Sequence, residues 1–130
     1  AAAKMFLAGI LAWVVGAVIK HFYIHPRPFD ALLFTPLIRE QGNSFPSGHT
    51  TIVFGLAFAF FFWARQQSRD THAKVVSCLL LVVGFLVGLS RIYVGVHWPL
   101  DILGGIALGA IAGWLLTRPF TLLEKDKVQE

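Results

Sequence analysis

Four long apolar runs dominate this chain and leave little choice of fold. They cover Met5 to Ile19, Thr50 to Ala64, Val75 to Leu89 and Leu100 to Thr117. A helix that crosses a bilayer needs about 20 mostly apolar residues, with about 17 tolerated. Each run extends into flanking residues that can continue a helix. A soluble four-helix bundle would need a polar stripe along each helix. The stretch Ile52-Val53-Phe54-Gly55-Leu56-Ala57-Phe58-Ala59-Phe60-Phe61-Phe62-Trp63 offers none. Hydrophobic residues make up 56% of the 130 and charged residues only 14%, whereas soluble domains are about a quarter charged. The chain is therefore read as an all-α, polytopic transmembrane helix bundle of at least four spans. It forms a single membrane-embedded domain over residues 1–130.

The loops set the orientation. Lys4, the connection from Arg65 to Lys74 (Arg65, Arg69 and Lys74 against Asp70) and the tail with Arg118, Lys125 and Lys127 fall on one side. Positive-inside bias makes that side cytoplasmic. The connections Lys20 to Pro46 and Ser90 to Pro99 then lie outside. Their basic residues Lys20, Arg27, Arg39 and Arg91 run against the bias, which gives these charges another task. The segment Glu124 to Glu130 reads as a solvated end. With a net charge of +4 and basic residues scattered between apolar runs, nucleic acid is excluded as a partner. Gly105, Gly109 and Gly113 recur every four residues and make a face for close helix packing. Pro99 suits the first turn of the last helix. Trp63 and Trp98 read as interfacial belt residues, and Trp13 and Trp114 as lipid-facing or packed. The lone Cys78 can form no intrachain disulfide and reads as plain packing.

Three polar clusters fall at the outer ends of the spans: Lys20 through Arg27-Pro28, then Pro46-Ser47-Gly48-His49, then Ser90-Arg91 with His97 and Asp101. Lys20, Arg27 and Arg91 are cations at an apolar boundary, where an anionic partner is expected. Arg offers planar bidentate donors to phosphate, and Lys a point charge. Ser47 and Gly48 precede a helical run, so free N–H groups and a hydroxyl gather at a helix start, favourable for an anion. His97 and Asp101 are four apart. On a helix start this makes them neighbours on one face, where the carboxylate would fix the imidazole tautomer and leave the other nitrogen free to attack. His49 stands beside the anion site, placed to protonate a leaving oxygen. His21, His25 and His72 are read as ordinary interfacial histidines.

Lys20, six residues, Arg27-Pro28; Pro46-Ser47-Gly48-His49; Ser90-Arg91, five residues, His97, three residues, Asp101: this pattern resembles the three-part signature of the type-2 phosphatidic acid phosphatase superfamily. That superfamily also includes bacterial acid phosphatases and vanadium haloperoxidases. The resemblance implies that His97 attacks phosphorus and carries a phosphohistidine, that Asp101 orients it, and that His49 protonates the departing oxygen. Lys20, Arg27, Ser47, Gly48 and Arg91 would hold the phosphate oxygens, with neither metal nor cofactor. The segments Tyr93 to Asp101 and His25 to Phe29 are most similar to bacterial undecaprenyl-diphosphate phosphatases. The implied reaction is undecaprenyl diphosphate to undecaprenyl phosphate plus phosphate, on the outer face of the cytoplasmic membrane. Phosphatidylglycerophosphate and phosphatidate phosphatases share the signature and stand as the alternative. A non-catalytic membrane lipid-binding protein is the third reading, and the presence of both His97 and Asp101 argues against it. Membrane members of the family typically have six spans, two of them before the first motif. This chain shows four, which leaves open a chain lacking N-terminal helices or a minimal variant.

Overall fold

A computed structural model of the chain describes residues 2–67 and 69–118. The expectations for Lys125, Lys127 and Glu124 to Glu130 concern residues outside these. Five helices account for the described secondary structure: α1 (Ala2–Phe22), α2 (Pro28–Leu32), α3 (Gly48–Gln66), α4 (Thr71–Tyr93) and α5 (Pro99–Thr117). The four long ones match the four apolar runs. The fifth, α2, is a single short turn of helix inside the first outer connection, opened by Pro28 in its first turn and closed by Leu33 in the left-handed region at φ 54.

Three of the four long helices, α1, α4 and α5, are long and apolar enough to cross a membrane. The fourth, α3, has comparable length, but His49, Thr50 and Thr51 at one end and Arg65 and Gln66 at the other dilute its apolar character. It is also the central helix, packed against α1, α4 and α5, while α4 and α5 barely touch one another. A central helix is screened from lipid by its neighbours and can carry polar ends at modest cost. The outward faces of α1 and α4 are apolar, with Phe6, Ile10, Val75, Leu79 and Val82 more than half exposed. This suits contact with lipid and not with water. Cys78 lies on the same outward face of α4 and is exposed, so the reading of it as buried packing is corrected. The packed face of α4 runs through Ala73, Ser77, Gly84 and Gly88 instead.

Small residues set the helix spacing. Apolar lipid gives helices no hydrophobic reason to associate, so close backbone approach takes over. A Cβ on Gly109 would lie 2.7 Å from the backbone nitrogen of Gly55, and one on Gly113 would lie 2.7 Å from that of Ala59. The expected glycine face of α5 is thus its seam with α3. On the opposite side of α3, a Cβ on Gly55 would meet Gly9 of α1 at 2.8 Å. Helix ends are tied as well: Asp70 caps α4 by accepting from the Ala73 N–H at 2.9 Å, and Gln66 donates to the Thr117 carbonyl at 2.9 Å.

The chain turns back between α4 and α5 through residues 94–98. Gly95 sits there at φ +87, and a Cβ on it would lie 2.7 Å from the Phe34 ring. Only glycine meets both demands without strain. Because the four long helices alternate in direction, the end of α1, the start of α3, the end of α4 and the start of α5 come to one end of the bundle.

Candidate active site

The turn after Gly95 presents His97, which is 1% exposed, and the third residue of α5 presents Asp101, which is 0% exposed. Pro99 fills the first helical position, where its missing N–H costs nothing. Asp101 reaches back over this first turn and accepts the Trp98 N–H through Oδ2 at 2.8 Å. The same oxygen lies 3.3 Å from His97 Nδ1. His97 therefore stands just before the helix. Its pairing with Asp101 is made through the helix start, and the expected juxtaposition on one helical face is replaced by this capping geometry. With its proton on Nδ1, facing the Asp101 carboxylate, the ring would keep a lone pair on Nε2. Burial pushes the imidazole below its usual pKa, against the hydrogen bond to Asp101, and the nearby Arg27 charge pushes the same way as burial. The lowered pKa favours the neutral ring.

His97 Nε2 faces Arg27 Nη1 at 3.4 Å and Glu40 Oε2 at 3.4 Å. Arg27 is 2% exposed. Its Nη1 donates to Glu40 Oε2 at 2.9 Å and to the Val96 carbonyl at 3.0 Å. Its Nε donates to the Gly42 carbonyl at 3.1 Å, and its Nη2 to the carbonyls of Gln41 at 3.1 Å and Asn43 at 3.4 Å. One guanidinium thereby staples the loop 40–43 to the turn that carries His97. Arg91, from the end of α4, donates to the other carboxylate oxygen of Glu40. Its Nε is buried and has no hydrogen-bond partner among the described residues, a donor left over for an acceptor.

Glu40 was not anticipated from the sequence. Its two oxygens occupy the point on which Arg27, Arg91 and His97 Nε2 converge. A signal existed: Glu40 is the only acidic residue between Asp30 and Asp70, in a connection rich in cations.

The remaining residues ring this centre. Lys20, on the last turn of α1, feels the charges of Arg27 and Asp101, and its carbonyl accepts from Asn43 Nδ2 at 2.9 Å. Ser47 is fully buried before α3; its N–H donates to the Asp101 carbonyl at 3.1 Å and its Oγ accepts from Thr50 Oγ1 at 3.0 Å. The first of these bonds fastens the start of α3 to α5, and the second is local to the start of α3. Gly48 opens α3 with Trp13 3.8 Å from where its Cβ would be. His49 is exposed and makes no hydrogen bond to the described residues. The structure brings Arg27, Arg91, His97 and Asp101 into one contact network, sets Lys20, Ser47 and Gly48 at its margin, and leaves the His49 side chain outside it.

His25 departs from its reading as an ordinary interfacial histidine. Its Nδ1 lies 2.8 Å from Ser44 Oγ and 3.4 Å from Asp101 Oδ1. The loop folds back to place it: Asn43 Oδ1 accepts the His25 N–H at 3.2 Å, and the Ser44 N–H donates to the His25 carbonyl at 2.9 Å.

A family model described as the PAP2 superfamily matches residues 1–124. Over 102 residues the chain is 38% identical to a putative undecaprenyl-diphosphatase, YbjG, of Escherichia coli strain K12, covering 78% of this chain and 46% of that protein. It is 36% identical over 118 residues to the undecaprenyl-diphosphatase BcrC of Bacillus subtilis strain 168, covering 90% of this chain and 56% of that one. Among solved structures, a transmembrane PAP2-type phosphatidylglycerolphosphate phosphatase from Bacillus subtilis superposes with a TM-score of 0.72 at 30% identity, over 97% of this chain and 59% of the other. The chain spans about half the length of the curated relatives it matches.

Proposed function

The chain belongs to the PAP2 superfamily, and from that premise we propose that it hydrolyses a membrane lipid diphosphate through a phosphohistidine at His97. The observation that carries this reading is the aim of His97 Nε2: it points at the oxyanion position framed by Arg27 and Arg91, 3.4 Å from the Glu40 oxygen that stands there. The terminal phosphate of the substrate takes that position and the carboxylate leaves it. The Nε2 lone pair attacks phosphorus as the bond to the bridging oxygen breaks. The guanidinium groups of Arg27 and Arg91, the Lys20 ammonium, the Ser47 hydroxyl and the N–H groups at Gly48 hold the equatorial oxygens as charge builds on them. Preorganised donors of this kind supply most of the rate in phosphoryl transfer. Asp101 balances the positive charge that His97 gains on phosphorylation. His49 gives a proton to the leaving lipid phosphate, then takes one from the water that breaks the P–N bond and frees inorganic phosphate. For this role its exposed side chain swings towards the substrate. The cations supply the charge that a metal would otherwise bring, so the step proceeds without one.

The relatives named as undecaprenyl-diphosphatases favour undecaprenyl diphosphate as the substrate. The phosphatidylglycerolphosphate phosphatase of similar structure supports a glycerophospholipid phosphate as the second reading. The site is proposed to face the outside of the cytoplasmic membrane. The opposite end of the bundle carries Lys4, Arg65, Arg69, Lys74 and Arg118, as positive-inside bias requires of a cytoplasmic end. Phosphate release from undecaprenyl diphosphate, phosphatidylglycerophosphate and phosphatidate by the purified protein, with and without EDTA, tests the proposal. Turnover fastest on the diphosphate and indifferent to EDTA is the expected result. Turnover confined to phosphatidylglycerophosphate would transfer the assignment to the second reading. His97→Asn is expected to lower kcat by more than about a thousandfold.

A further inference from the structure

We propose that His25 is a positioning residue for the nucleophile, acting through the second oxygen of the Asp101 carboxylate; the proposal rests on the phosphatase reading of this site. Asp101 is 0% exposed. Its Oδ2 is held by the Trp98 N–H and faces His97 Nδ1. Its Oδ1 is buried and accepts no hydrogen bond within the usual limit. A buried carboxylate oxygen without a donor is costly, and a carboxylate fixed at one oxygen can still rotate and take the other off its target. His25 Nδ1 lies 3.4 Å from Oδ1, and the Ser44 hydroxyl also interacts with the Asp101 carboxylate. Lys20 and Arg27 also act on Asp101, but through space. The carboxylate thus lies between two imidazoles, one at each oxygen.

The placement of His25 is built and not incidental. Its ring stacks on Tyr23 with centroids 5.7 Å apart and planes at 18°, and Trp98 leans over it at 6.4 Å. Trp98 is itself anchored by its indole N–H on the Pro26 carbonyl at 2.9 Å. Fully buried Ser44 approaches the same Nδ1 at 2.8 Å. With Nδ1 protonated, its N–H is shared between Ser44 Oγ and Asp101 Oδ1, and the Ser44 hydroxyl has the Pro26 carbonyl, at 3.4 Å, and the Asp101 carboxylate as its acceptors. His25 touches neither His97 nor the oxyanion position, so it sets the direction of the carboxylate and, through it, the aim of His97 Nε2.

Two substitutions separate the nitrogen from the ring. His25→Phe keeps an aromatic ring against Tyr23 and Trp98 but removes Nδ1. His25→Asn loses the ring and keeps an N–H donor near the Nδ1 position. With the full chain in detergent and undecaprenyl diphosphate as substrate, His25→Phe is expected to lower kcat about tenfold, the loss of one hydrogen bond to a charged group. KM should stay close to that of the unchanged protein, and His25→Asn should recover much of kcat. Unchanged kcat in His25→Phe overturns the proposal. So does equal impairment of the two variants, which would mark a role in packing, or a fall in kcat matched by a rise in KM, which loosening of the whole site would give. Absence of phosphate release by the unchanged protein from every lipid phosphate is a different result: it overturns the phosphatase reading and removes the reaction His25 would serve.

Discussion

The two nitrogens of His97 stand in different environments, which suits the division of tasks proposed for them. Nδ1 meets the buried Asp101 carboxylate, while Nε2 meets the Arg27 guanidinium and the Glu40 carboxylate. Because burial lowers the imidazole pKa, the ring stays neutral to lower pH than free imidazole, whose pKa is about 6.5. A pH profile of kcat/KM should therefore keep its acid limb below about 6.5. An acid limb well above that value would mean that protonation of some other group controls attack. Glu40 makes a second prediction. Substrate has to displace its carboxylate from Arg27 and Arg91, so Glu40→Gln, which removes the charge and keeps the shape, should lower KM and strengthen inhibition by vanadate, with kcat little changed. A rise in KM would show that Glu40 helps to hold substrate. The nearness of His97 and Asp101 was legible in the sequence because their spacing is fixed by local geometry, Asp101 capping the turn that follows His97. Glu40 and His25 were not, since their partners lie far along the chain: Arg91 is 51 residues from Glu40, and only the fold-back of residues 40–44 onto 20–27 brings such groups together.

Among the elements, α3 governs the geometry. It packs along the glycine seam of α5, and the Ser47 N–H at its start is bonded to the Asp101 carbonyl of α5. Gly109→Leu places a side chain where the backbone of Phe54 and Gly55 lies within 2.7 Å. Overpacking of this kind typically costs about 1–3 kcal/mol. A lower melting temperature in detergent and a loss of activity are expected together. Leu103→Ala, on the exposed face of the same helix, is expected to change neither. The four long helices and the glycine seam were readable from apolar length and four-residue spacing. The short α2 was not, because five residues leave no period to detect. Nor was the outward placement of Cys78: an apolar run in a membrane helix looks alike on its packed and lipid-facing sides.

At the scale of the whole molecule, alternating helix directions collect three stretches of chain that are distant in sequence at one end of an apolar bundle, and the opposite end carries the surplus of positive charge. This is an integral membrane protein, and its candidate site is gathered at one end of the described bundle. The central claim is that this end binds a tetrahedral oxyanion against His97. A structure of the protein with vanadate bound tests it most directly. Vanadium is expected in line with His97 Nε2, its oxygens held by Arg27 and Arg91, and the Glu40 carboxylate displaced. Vanadate bound away from His97, or Glu40 still bridging the two arginines with vanadate bound elsewhere, would contradict the account.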